Sequence, residues 1–150
     1  KQRGSMVLAV LIALVGVLAA CLTHYYVLYG LQRYYVKCDC CLSVWQAMLA
    51  LLIIFAVHIV ESFYFTGIYW AAHQLLELGE FTKAFKPIFR DYFYHSLVTM
   101  TTLGLSEFNP EGHIKFITAM QSLLGFMMLT WSATFYYKLF SQEIPNKKSN

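Results

Sequence analysis

The sequence predicts an all-α membrane protein with three transmembrane helices and a shorter helix that enters the membrane and turns back. Three observations support this. Of 150 residues, 59% are apolar and only 13% are charged, whereas soluble chains average about 25% charged and 45–50% apolar. Three apolar stretches, Met6 to about Tyr29, Val44 to about Trp70 and Ile114 to about Phe140, are long enough to cross, since a hydrocarbon core of ~30 Å takes about 20 helical residues. Between the second and third lies Tyr92 to about Thr101, an apolar helix too short to span. Non-helical backbone after such a helix is tolerated at membrane depth only where protein buries it or where it lines a cavity.

In chain order, residues 1–5 (Lys-Gln-Arg-Gly-Ser) read as an expression scar before a natural start at Met6. Setting aside Lys1 and Arg3 takes two charges from the formal +3, which leaves no net basic character to suggest a nucleic-acid partner. Residues 6–30 form an additional N-terminal span with Leu, Val and Ala on every face. It is retained rather than cleaved, because neither a charged leader nor a small-residue cleavage site accompanies it. Tyr25, Tyr26, Tyr29, Tyr34 and Tyr35 make an aromatic belt at the headgroup level. The Leu31–Ser43 linker is short enough to make the first two spans antiparallel neighbours.

Residues 44–140 form the main unit. Its first span holds His58 and Glu61, one turn apart on one face. Ionisable groups inside a span turn toward protein or water, so the pair satisfies itself, contacts the re-entrant helix, or forms part of a metal or proton site. Residues 71–90 read as a polar amphipathic connection broken by Gly79 and Pro87, with Asp91 as the cap of the short helix. The last span carries small and polar residues, Thr118, Ser122, Gly125, Thr130, Ser132, Ala133 and Thr134, which suit close packing or a wetted face. Phe126, Trp131, Phe135, Tyr136 and Tyr137 read as packing residues and interface anchors. Residues 141–150 are a polar, flexible tail.

Of four cysteines, Cys21 reads as a small packing residue. Cys38, Cys40 and Cys41 form a thiol cluster whose spacing is a weak zinc signal. Free reduced thiols, palmitoylated thiols and a metal cluster all remain open for it. An enzyme is not indicated: there is no H-E-x-x-H, nucleophile elbow or phosphate loop. Single His residues such as His24 and His58, placed near opposite faces of the membrane, read as interface anchors rather than haem ligands. No other cofactor is expected.

The segment Thr99-Met-Thr-Thr-Leu-Gly-Leu-Ser-Glu-Phe-Asn-Pro110 resembles the pore loop of tetrameric potassium channels, T-x-T-T-V-G-Y-G-D-x-x-P. Thr99, Thr101, Thr102, Gly104 and Pro110 match, Leu103 takes the Val place and Glu107 the Asp place. Leu105 replaces the usual Tyr, and Ser106 replaces the second Gly. The resemblance implies a selectivity filter at Thr101, Thr102, Leu103, Gly104, Leu105, Ser106 and Glu107, with K⁺ or another monovalent cation held by the carbonyls of Thr102, Leu103 and Gly104. One loop per chain requires four chains around an axis, a homotetramer in the lipid bilayer. A non-glycine residue in a glycine conformation costs about 1–3 kcal/mol, so the filter's outer half is expected to widen or collapse at Ser106. Two readings follow: a channel for K⁺ or for K⁺ and Na⁺ with little selectivity, or a non-conducting potassium-channel-like scaffold or sensor.

The resemblance further places Tyr94 and His95 where pore-helix aromatics support the filter, and Val98 where some channels keep a buried acid. Glu107 would form an acidic ring near the mouth or pair with a base such as Arg90. Gly125 falls near the gating bend of the inner helix, or is a packing glycine. Trp131-Ser132-Ala133 resembles the Gly-Trp-Ser-type segment of small bacterial potassium-channel-like proteins with one added N-terminal helix. Lys and Arg number five on the side of the linker and C-terminus (Arg33, Lys37, Lys138, Lys147, Lys148) and four around the re-entrant loop (Lys83, Lys86, Arg90, Lys115). This excess and the resemblance both put the N-terminus and pore loop outside a cell membrane and the C-terminus in the cytoplasm. No S4-like arginine repeat is present, which excludes steep voltage sensing of the usual kind.

Overall fold

The computed structural model describes residues 2–37, 44–82, 84–102 and 108–141. Helix α1 spans Gln2–Lys37, α2 Val44–Trp70, α3 Phe89–Met100 and α4 Ile114–Ser141. A π-helical turn, Ala71–Leu75, continues α2. Three helical stretches are long and apolar enough to cross a membrane, at Gly4–Tyr35, Val44–Leu75 and Ile114–Leu139. Several boundaries differ from the sequence reading, and α1 already begins at Gln2, within the expected scar. The first helix continues through the tyrosine belt to Lys37, so it takes up half of the expected Leu31–Ser43 linker. The second stays helical into the supposed polar connection, because Ala71–Leu75 holds no breaker and its wide turn lets the Leu76 N–H reach Ala71 O at 3.0 Å. The cysteine cluster Cys38, Cys40 and Cys41 and the tail from 142 lie outside the described residues.

The face of α1 toward α2 is a stripe of small residues. Ala9, Ala13 and Ala20 are fully buried, and Gly16 lies against Ile68 and Phe65. Small side chains let two backbones approach where lipid supplies no hydrophobic drive between helices. This stripe meets Phe65, Tyr69 and Ala72 of the second span, with Ile114 and Ile117 of α4 in the same core. A second core joins Leu28, Leu31 and Tyr35 to Ala50, Ile54 and Leu139. The two cores fix α1 and α2 as antiparallel neighbours. They also put the N-terminal end of α1 at the same end of the molecule as the start of α4. Tyr35 leaves the predicted belt and is buried, its hydroxyl donating to Gln46 O at 2.6 Å. Tyr25, Tyr26, Tyr29 and Tyr34 remain exposed.

The short helix α3 lies between α2 and α4. Before it, residues 78–82 pair with 109–113: His113 N–H donates to Leu78 O (2.8 Å), Glu111 N–H to Glu80 O (2.7 Å) and Thr82 N–H to Asn109 O (3.1 Å). Phe81 stacks on Phe85 with ring centroids 4.2 Å apart, and Phe85 meets Tyr92 and Phe108 edge-on. These contacts close the loops before and after α3 over its outer end.

The C-terminal end of α3 touches α4 at one point. Gly125 is buried there, and a Cβ added to it would overlap the carbonyl oxygen of Met100. Neither atom is the free end of a side chain, so only glycine permits the approach. Gly125→Ala should therefore lower stability by about 1–3 kcal/mol, the usual cost of overpacking, seen as a lower Tm in detergent. Gly67→Ala, which adds its Cβ to open space, serves as the neutral control. Equal Tm for Gly125→Ala and wild type would mean that α3 and α4 are not in this contact.

Candidate functional site

Helix α3 begins after Pro87, with Ile88 extended at φ −112° and ψ 156° and offering no side-chain cap. Asp91 is thus not the cap the sequence suggested; the helix starts three residues earlier than expected, at Phe89, and Asp91 lies in its first turn. Its Oδ2 accepts the Lys86 N–H at 3.0 Å and its Oδ1 accepts Arg90 Nε at 3.1 Å. Burial alone would raise this carboxyl, but the Lys86 N–H and the Arg90 guanidinium outweigh it and hold Asp91 below the usual carboxylate range. Its charge also favours the positive end of the helix dipole.

Midway along, α2 and α4 grip α3 through polar groups that are buried or nearly so. Gln121 of α4 donates from Nε2 to Ser96 O at 3.0 Å and to Ser96 Oγ at 2.8 Å. Its Oε1 accepts the Tyr69 hydroxyl at 2.7 Å. Ser96 Oγ in turn donates to Ser62 O of α2 at 2.8 Å. His95 is buried, edge-on to Tyr69 and Phe81, with Nε2 3.4 Å from Thr118 Oγ1. Tyr94 is exposed and faces Phe108 edge-on at 6.0 Å. Val98 is half-buried, and its carbonyl accepts the Thr101 hydroxyl at 2.8 Å.

At the far end, Thr102 N–H donates to Thr99 O at 3.1 Å and Thr102 turns to φ +60°. For a β-branched residue that is a true outlier, costing about 1–3 kcal/mol. Thr101 and Thr102 are both exposed in the single chain. The negative end of the α3 dipole and its last carbonyls sit beside them. A short helix packed between α2 and α4 therefore delivers a Thr-Thr turn, in a strained backbone, to the surface of the chain.

A family model described as an ion channel matches residues 40–142. The chain belongs to that ion channel family. The match covers α2, α3 and α4 and supports a pore domain of the potassium-channel superfamily, so this is a multi-pass, all-helical membrane channel protein. No curated protein and no solved structure matches the chain.

Leu103, Gly104, Leu105, Ser106 and Glu107, expected from the sequence to belong to a filter, lie outside the described residues. Gly125 is placed against the Met100 carbonyl at the base of α3. Arg90, one candidate partner of Glu107, pairs with Asp91. His24 and His58 are not near opposite faces: their ring centroids are 5.2 Å apart. Glu61 lies between them, with Oε1 2.8 Å from His24 Nδ1 and Oε2 3.1 Å from His58 Nδ1. The His58–Glu61 pair thus finds its partner on α1 rather than on the re-entrant helix. Ser132 of α4 completes the group, its Oγ 3.2 Å from His24 Nε2 and 3.3 Å from His58 Nε2.

Sequence reasoning passed over Gln121, Ser96 and Tyr69. The available signal was a lone Gln in an apolar span, since an amide at that depth must be partnered. Gln121→Leu removes one partner of Ser96 and the nearer partner of the buried Tyr69 hydroxyl, which keeps the longer contact to Thr118 Oγ1, so a loss of about 1–3 kcal/mol is expected, read as a lower Tm and earlier proteolysis in the 83–102 region. The Asp91 clamp should be acid-labile. A carboxyl depressed in the folded state stabilises above its ordinary pKa of about 3.9, and that contribution is lost as pH falls through the lower folded value. Proteolysis of residues 83–90 should then rise in wild type below about pH 4. In Asp91→Asn it should already be raised at neutral pH and change little on acidification.

Proposed function

We propose that four copies of this chain form a monovalent cation channel of the cell membrane, with N-terminus and pore loop outside and C-terminus in the cytoplasm. The observation that carries the reading is the exposed Thr101–Thr102 turn at the end of a buried, non-spanning helix in a chain of the ion channel family. The turn is left exposed by the described residues of the single chain. Repeated around an axis, it supplies rings of oxygen ligands for a dehydrated cation.

The Thr102 hydroxyl and the carbonyls of Thr102, Leu103 and Gly104 are the proposed ligands for K⁺. Leu105 and Ser106 remove the bracing hydroxyl and the second glycine, and this favours conduction of K⁺ with weak rejection of Na⁺. Large apolar side chains left exposed on α4, among them Leu123, Phe126 and Met127, fit burial against neighbouring subunits or the pore. Thr130 and Thr134, also exposed and bonded only to carbonyls one turn back, would line the wetted inner helix.

Flux from liposomes holding purified, cross-linkable tetramers tests this. Passage of K⁺ at a rate equal to or modestly above that of Na⁺ is expected, with the double replacement Leu105→Tyr and Ser106→Gly raising the K⁺ preference. Absence of flux in both proteins would favour the non-conducting scaffold, and a monomeric protein would overturn the tetramer.

A further inference from the structure

We propose that His24, His58 and Glu61 form a divalent transition-metal site, of the kind that takes Zn²⁺, between α1 and α2 and anchored by Ser132 of α4. The three side chains offer ligand atoms that all lie within 4.8 Å of one another. His24, Glu61 and Ser132 are buried and His58 is nearly so. Both imidazoles present the same edge, Nδ1, to the two oxygens of one carboxylate, at 2.8 and 3.1 Å. Tetrahedral zinc with bonds of about 2.0–2.1 Å keeps its ligand atoms roughly 3.3 Å apart, so a small expansion admits the ion. The two nitrogens and one Glu61 oxygen then give three protein ligands of borderline and hard character, a set suited to zinc, with the fourth tetrahedral position left for a water.

Counting protons gives the second reason. The group is a closed ring of four contacts: Glu61 to His24, His24 to Ser132, Ser132 to His58 and His58 to Glu61. With Glu61 ionised and both imidazoles neutral, each imidazole brings one proton and Ser132 brings one. Three protons cannot make four hydrogen bonds, and the buried ring also carries a net negative charge, which is costly inside a membrane. A divalent cation on the Nδ1 edge resolves the shortage of protons and leaves the site with a net charge of the opposite sign. Each imidazole turns its lone pair at Nδ1 to the metal and keeps its proton at Nε2, and the Ser132 oxygen accepts from both. An outer-shell acceptor that fixes the imidazole tautomer is a regular companion of histidine ligands.

The site would fasten the added N-terminal helix to α2 and hold α4 through Ser132. It does not depend on whether the pore conducts. The test uses purified full-length protein in detergent: metal content by mass spectrometry, then Co²⁺ titration of the metal-stripped protein followed by its ligand-field absorption. One metal per chain is expected in wild type and in a variant with Cys38, Cys40 and Cys41 all changed to Ser. His58→Ala and Glu61→Gln should lose it, and Ser132→Ala should bind about 10–100-fold more weakly. Should the ligand variants fail to fold, a rise in wild-type Tm with added ZnCl₂, reversed by a chelator, supports the site. No metal, no Co²⁺ spectrum and no zinc-dependent Tm would overturn it, leaving a ring closed by a fourth proton. Metal lost with the three cysteines but retained in His58→Ala would overturn it as well.

Discussion

The clasp of Gln121 on Ser96 is the interaction on which the functional end of this molecule depends. A helix of twelve residues held between two spans has little apolar surface of its own with which to keep its place. Its depth and rotation must come from directional contacts, which gain strength where water is scarce. Gln121 gives two donors to one residue of α3 and receives the Tyr69 hydroxyl on its remaining oxygen, so all three helices are addressed by one amide. With the middle of α3 fixed, the Met100 carbonyl can close on Gly125 and the chain emerges at Thr101 and Thr102 in one orientation.

A second polar group lies deeper, and α2 joins the two. Ser62 accepts Ser96 Oγ on its carbonyl, while its own hydroxyl donates to His58 O at 2.9 Å. Thr66 donates to the same Ser62 carbonyl at 2.8 Å. One turn of α2 therefore carries the support of α3 on one side and the His24–Glu61–His58 ring on the other. A shift of α4 strains both, because Gln121 and Ser132 both belong to it.

Much of this was legible in the sequence, and for identifiable reasons. Length and apolarity alone locate three spans and one helix too short to cross, and Thr99–Pro110 marks the turn that follows it. Helix ends were less legible: Gly30 after Tyr29 looks like a stop but lies inside α1, nothing at Trp70 stops a helix, and tertiary packing carried both further. Asp91 was read as a cap because a carboxylate before an apolar run looks like one; its true partner, the Lys86 amide, depends on a loop conformation that no pattern encodes. The His58–Glu61 pair was visible as a one-turn spacing, but His24 belongs to another helix. Its position follows only from the antiparallel register, in which Tyr35 meets Gln46, His24 meets Glu61 and Gly16 meets Ile68. Folding α1 and α2 about the 38–43 linker, with the short connection already inferred, would have brought His24 to the pair.

The position of α1 has a consequence for what can reach the interior sideways. It packs against both α2 and α4, so it covers the seam between those two helices that would otherwise face the acyl chains. Its lipid side carries Leu11, Val15, Leu18 and Leu22, all exposed, while its inner side is sealed by alanine. An oily molecule dissolved in the bilayer thus finds that flank shuttered by a whole helix.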